Sequence, residues 1–166
     1  AYGVMFNPNG GASFIAMIKA TGGGNISITG SSALASTNGV YLACADVLAA
    51  NGTISIDGGT RGVNINNYTN IGYKTGGAIT SDTGAINVTS DAYVGSTSTY
   101  LKTSGVVTFA PTTNSNIINV SNAGTDASGT LDLSTAELGN VTAGTVRLGA
   151  LGGSNSGNIT ISTAFS

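Results

Sequence analysis

Seven carboxylates are the only acid–base groups this chain offers in any number: Asp46, Asp57, Asp82, Asp91, Asp126, Asp132 and Glu137. Two carboxylates facing one bond would serve glycoside hydrolysis. Acids clustered with Lys or Arg would serve cleavage of a uronate polymer. The spacing supplies neither arrangement. Asp132 falls between Leu131 and Leu133, so alternation predicts that it points outward from a strand. Asp57 precedes Gly58-Gly59, a turn signal. Each acid is expected to be solvated or to cap a turn. The five cations, Lys19, Arg61, Lys74, Lys102 and Arg147, are scattered along the chain. The absence of His excludes Ser-His-Asp and Cys-His catalysis and any zinc site with imidazole ligands. The expectation is a protein that is not an enzyme, with no catalytic, cofactor-binding or metal-binding residues.

The remaining reactive or recognising groups each have a plain structural reading. Calcium takes oxygen ligands, but the glycine-rich Gly22-Gly23-Gly24-Asn25 stretch lacks the Asp of calcium-binding β-roll repeats. Cys44 sits among small residues in Leu42-Ala43-Cys44-Ala45 and is expected to be a small buried side chain. As the single cysteine it forms no intrachain disulfide. Tyr68 and Tyr73 flank a turn-rich segment where an aromatic face could stack on a sugar; a loop covering an edge is the plainer reading. Seven Asn-x-Ser/Thr triplets begin at Asn25, Asn51, Asn67, Asn87, Asn119, Asn140 and Asn158. Strands that alternate Asn, Ser and Thr with apolar residues generate such triplets without any role in glycosylation. Thr97-Ser98-Thr99 is one unit of the flat Thr array that ice binding requires, and it does not recur.

Composition narrows the class further. The 166 residues include 26 Gly, and Gly, Thr, Ser and Asn together make up half the chain. Charged residues are 7%, against roughly 25% in an ordinary soluble domain. Five Lys and Arg cannot form the basic stripe of a nucleic-acid binder. No apolar run approaches the ~18 residues of a membrane helix, so no membrane insertion is expected. Ala1 to Gly10 lacks the basic start and apolar core of a signal peptide. Hydrophobic residues are 40% and the net charge is −2, the reverse of a disordered composition.

A short unit recurs: glycine, any residue, apolar, small polar, apolar. It reads Gly24-Asn25-Ile26-Ser27-Ile28, Gly52-Thr53-Ile54-Ser55-Ile56 and Gly84-Ala85-Ile86-Asn87-Val88. It returns from Gly105, Gly129, Gly144 and Gly157, with looser copies at Gly62-Val63-Asn64-Ile65 and Asn116 to Val120. Alternation of period two predicts strands with one buried face. The glycine before each strand is expected to supply a turn of positive φ. Val40 to Ala50 is helix-like in composition, but Val40-Tyr41-Leu42 and Asp46-Val47-Leu48 are better read as two strands around a small-residue corner. A core of Ile, Val, Leu and Ala with outer Asn, Ser and Thr fits stacked parallel coils better than a sandwich. Like residues stack on like, and neutral polar residues can form hydrogen-bonded ladders where charges would repel.

The first apolar positions, Ile26, Ile54, Ile86, Val107, Leu131, Val146 and Ile159, are 28, 32, 21, 24, 15 and 13 residues apart. These intervals fit coils of roughly 20 residues with variable loops. The two last look like successive faces of one coil. The expected fold is all-β: a right-handed parallel β-helix, or solenoid, of about eight coils with little or no α-helix. At ~4.8 Å per stacked strand the rod would be roughly 40 Å long.

The cadence Gly84 to Thr89, then Gly129 to Leu133, is similar to filamentous haemagglutinin-type exoproteins. The closing run from Leu138 to Ser166, LGNVTAGTVRLGALGGSNSGNITISTAFS, resembles them more closely. The resemblance covers the chain from Gly22 onward. It implies a β-helical repeat region of a bacterial adhesin exported by two-partner secretion and located outside the cell or on its surface. Asn7-Pro8-Asn9-Gly10 resembles a motif of that family's secretion domain, but Asn-Pro and Asn-Gly are ordinary turn formers and a turn is the favoured reading.

Both termini are apolar and uncharged. Ala1 to Phe6 and Phe14 to Ile18 open the chain, and Asn158 to Ile161 nearly closes it. The expectation is a single segment, 1–166, forming part of a longer filament or a stacking subunit. Its partners would be copies of itself stacked head to tail, or neighbouring coils of a longer chain, with a host or environmental glycan as a further partner. The expected function is that of a structural building block of an extracellular filament. A glycan-binding or glycan-cleaving β-helix domain is the alternative, and an ice-binding solenoid a more distant one.

Overall fold

The computed structural model describes residues 2–8, 16–72, 84–150 and 157–163. The Asn9-Gly10 turn, Phe14 and Ile15, Tyr73, Lys74, Asp82 and the closing residues 164–166 lie outside the described residues.

Strands come in threes. The first three are β1 (Val4–Phe6), β2 (Ala16–Ala20) and β3 (Ile26–Thr29). Then follow β4 (Val40–Ala43), β5 (Ala45–Ala49) and β6 (Ile54–Gly59), and next β7 (Val63–Asn66), β8 (Asn70–Ile71) and β9 (Ile86–Ser90). A fourth set is β10 (Tyr93–Gly95), β11 (Tyr100–Lys102) and β12 (Val106–Ala110). The chain continues with β13 (Ile117–Ser121), β14 (Thr130–Ser134), the short helix α1 (Thr135–Gly139), β15 (Val141–Thr142), β16 (Thr145–Leu148) and β17 (Ile159–Ile161). Members of each set go to three sheets in turn. The orders are β1-β4-β7-β10, β2-β5-β8-β11-β15 and β3-β6-β9-β12-β16, with a fourth sheet ordered β14-β13-β17. Every strand pair among the described residues is parallel. The fold is all-β and parallel.

The third sheet shows why this sequence folds so. Ile26, Ile54, Ile86, Val107 and Val146 are register partners, and so are Ile28, Ile56, Val88, Phe109 and Leu148. From Ile26 to Phe109 both rows are buried. Each fully buried aliphatic side chain contributes about 1.5–3 kcal/mol relative to exposure. The residues between them form a polar row on the other face: Ser27, Ser55, Asn87, Thr108 and Arg147. The intervals of 28, 32 and 21 residues read from the sequence are thus register offsets. Offsets elsewhere reach 36 between Val4 and Val40, and 40 between Leu101 and Val141. Several of them run well above the roughly 20 residues expected per coil.

Val40 to Ala49 forms two strands, β4 and β5, around a corner at Cys44, which is buried with φ 50°. The glycine expectation needs correcting. Gly24, Gly52 and Gly84 precede β3, β6 and β9, yet none has a positive φ. A Cβ on Gly52 would run into the carbonyl oxygen of Gly24, and one on Gly84 into that of Gly52. Close backbone approach between stacked strands requires glycine there. Positive φ is the reason at Gly62 and Gly129.

The core also holds two aromatic rings. Tyr93 is 1% exposed and packs edge-on against Phe109, ring centroids 5.1 Å apart. Among the described residues, no helix is long and apolar enough to cross a membrane.

Candidate functional site

Two places stand out: the outermost strands and a carboxylate junction inside the fold. β15, β16 and β17 are the last strands of their sheets, and β1, β2 and β3 the first of theirs, so among the described residues each has a strand partner on one side only. The alternation that builds the core continues into them. Ile159 and Ile161 are in register with the fully buried Ile118 and Val120, and Val146 with Val107. These three occupy core positions, yet they are 47%, 58% and 44% exposed. An unpaired strand edge carrying apolar side chains is a template for further strand pairing.

The junction lies where the first sheet stops. β10 packs against β14, but no backbone ladder joins them. Two carboxylates replace it. Asp126 accepts from the Tyr93 amide with Oδ2 and from the Asp132 amide with Oδ1, both at 3.0 Å. Glu137 accepts from the Gly95 amide with Oε1 and from the Ser134 amide with Oε2, both at 2.9 Å. Each acid therefore spans both strands, two residues apart along each. The Ser134 hydroxyl donates to Glu137 Oε2 at 2.8 Å and accepts from the Glu137 amide, closing a capping box that starts α1. Burial raises the Asp126 carboxyl to about 6, against the pull of its amide donors, with the Glu137 and Asp132 charges adding to the rise. Glu137 is raised as well, chiefly by burial. The Tyr93 phenol is pushed up by burial and by Glu137.

Several expectations change here. Asp132 is not solvated: it is 7% exposed, and its carboxylate accepts from Asn119 Nδ2 and the Ser121 hydroxyl. β13 pairs with β14 in the same sheet and sets Asn119 beside Asp132 as its register partner. Asp46 and Glu137 are buried too. Asp57 does cap a turn, accepting from the Gly59 amide at 2.9 Å, and Asp91 caps a loop through the Thr113 amide. Asp57 and Asp132 stand on strands of different sheets, β6 and β14. No group of His, Cys, Asp and Glu suited to hold a metal ion occurs among the described residues.

Tyr68 lies on the corner between β7 and β8, 54% exposed with φ 60°. Thr99 is buried and donates to the Ile65 carbonyl, so the Thr97-Ser98-Thr99 stretch is a structural corner. Among the triplet asparagines, Asn25 accepts from the Thr53 amide, Asn119 donates to Asp132 and Asn140 donates to the Ser96 carbonyl. The polar row is stacked in register, but Asn87 Oδ1 and Thr108 Oγ1 have no hydrogen-bond partner. The expected ladder of side-chain bonds is therefore incomplete there.

No family model, curated protein or solved structure matches this chain.

The junction was the feature that sequence reasoning missed. Its one local signal was Ser134-Thr135-Ala136-Glu137, the spacing of a capping box. Nothing local indicated that Asp126 and Glu137 would reach strand β10, more than thirty residues upstream.

Proposed function

We propose that the chain is a right-handed parallel β-helical segment, and that it serves as a non-catalytic building block of an extracellular or cell-surface filament of the filamentous haemagglutinin type. The three-way cycling of parallel strands supports the β-helix, and parallel crossovers are right-handed in about 98% of cases. The five strands that the second and third sheets each hold among the described residues would be one per coil in this reading.

The observation that carries the stacking role is the exposure of Ile159, Ile161 and Val146 at core register positions on strands that, among the described residues, are paired on one side only. Further strands of the same kind would bury them and complete the backbone ladder. Such a head-to-tail contact is heterologous and leads to an open fibre. Low net charge offers little repulsion between copies. Export by two-partner secretion and adhesion to a surface or glycan belong to the same reading through the resemblance in the repeats.

Sedimentation velocity over a concentration series tests the proposal. The wild-type chain is expected to form elongated species as concentration rises. Ile161→Lys is expected to shift the population to a single small species, because a charge on the edge strand blocks pairing. A wild-type chain that remains one small species at the highest concentration would contradict it.

A further inference from the structure

We propose that Tyr2 and Tyr41 form a cross-linking site, at which a one-electron oxidant joins the two rings as dityrosine and fastens β1 to β4. The rings lie in contact, centroids 5.0 Å apart and planes tilted by 37°. The backbone sets them there. Val40 and Leu42 are fully buried, so alternation turns the Tyr41 side chain between them to the outer face of the first sheet. β1 pairs with β4 from Val4↔Val40 to Phe6↔Leu42, and the Val4 amide donates to the Gly39 carbonyl at 2.8 Å. That register holds Tyr2, just ahead of β1, within reach of the Tyr41 ring. Tyr2 is 39% exposed, so an oxidant meets the pair from solvent.

The other oxidisable side chains set this pair apart. The chain has no Trp, and Cys44 is buried. Tyr93 is buried against Phe109, a ring without a phenol. Tyr68 and Tyr100 are exposed, and Tyr100 lies under the Lys102 ammonium. Among the described residues, neither is in ring contact with a second tyrosine. A radical formed on Tyr2 or Tyr41 thus meets its coupling partner at once.

In the coupling each phenol gives up one electron and one proton. The two radicals form one carbon–carbon bond between ring carbons ortho to the oxygens. The hydrogens on those carbons pass to the phenolic oxygens and restore both rings. The product has lost two electrons and two protons in all. Hydrogen peroxide, acting through a haem peroxidase, takes them up and is reduced to two molecules of water. The new bond closes the chain between residues 2 and 41, across the outermost strand of the first sheet. It restricts the unfolded chain as a disulfide does.

Oxidation of the dilute chain with hydrogen peroxide and a haem peroxidase tests the site, and dilution keeps the coupling within one chain. Trypsin cuts after Lys19 and Arg61, so Tyr2 and Tyr41 fall in neighbouring peptides, 1–19 and 20–61, each with a single tyrosine. Mass spectrometry of the wild type is expected to show these two peptides joined, lighter than their sum by two hydrogens. Met5 and Met17, both exposed, gain oxygen as sulfoxides, a change of opposite sign. Tyr41→Phe and Tyr2→Phe keep a ring in place without its phenol, and each is expected to lose the joined peptide. The oxidised wild type is expected to melt about 5–10 °C above oxidised Tyr41→Phe, the shift of a loop closure of this length. Absence of the joined peptide in the wild type, its survival in either variant, or equal melting of the two oxidised proteins would overturn the proposal.

Discussion

Gly84 and Gly139 are the same residue under opposite constraints. A Cβ on Gly84 would press into the carbonyl oxygen of Gly52, a backbone atom of the neighbouring strand that cannot swing away. A Cβ on Gly139, at the end of α1, would meet nothing within 4 Å. Gly84→Ala is therefore expected to destabilise by about 1–3 kcal/mol, as overpacking does. Gly139→Ala is expected to be neutral or to stabilise by up to about 1 kcal/mol through lost chain entropy. Urea unfolding midpoints compare the two. At this scale the sequence marked the position of the glycines but not their reason. A turn glycine and a close-approach glycine look alike until the neighbouring strand is known. The acids were misread for the same cause. Alternation puts Asp132 on the face opposite Leu131 and Leu133, but it cannot say that Asn119 and Ser121 of β13 stand beside it there and bond its carboxylate.

Among the elements, the third sheet was legible because its strands repeat one five-residue unit, and β3, β6, β9, β12 and β16 all carry it. The β4–β5 corner was legible from its small residues. Short strands were not: β8 has two residues and β10 three, too few for an alternation to stand out. They exist because longer neighbours in the same sheet hold them in register. The helix is shorter still than an independently stable one and depends on its capping box. Ser134→Ala removes the hydroxyl that accepts from the Glu137 amide and donates to its carboxylate. It is expected to cost about 0.5–2 kcal/mol, the range for a lost N-cap. The loss should also reach β10, because Glu137 holds the Gly95 amide. Amide exchange at Gly95 is expected to quicken in Ser134→Ala while exchange at Ile56, in the middle of the third sheet, stays unchanged. Equal effects at both amides would mean that the cap has no special link to β10.

For the whole molecule, the all-β parallel character was legible in period-two alternation and in neutral polar residues that stack without repulsion. The size of each turn of chain was not. Loop lengths vary, and the insertion of β13, β14 and α1 stretches the last offset in the third sheet to 39 residues. The central claim is that the outermost strands are an unfinished surface that further strands of the same kind complete. Hydrogen exchange as a function of protein concentration tests it most directly. Amides of β6 and β9, paired on both sides, are expected to be protected at every concentration. Amides of β16 and β17 are expected to exchange quickly in dilute solution and to gain protection as concentration rises. Protection of β16 and β17 that is already full in dilute solution, or that never changes with concentration, would contradict the claim.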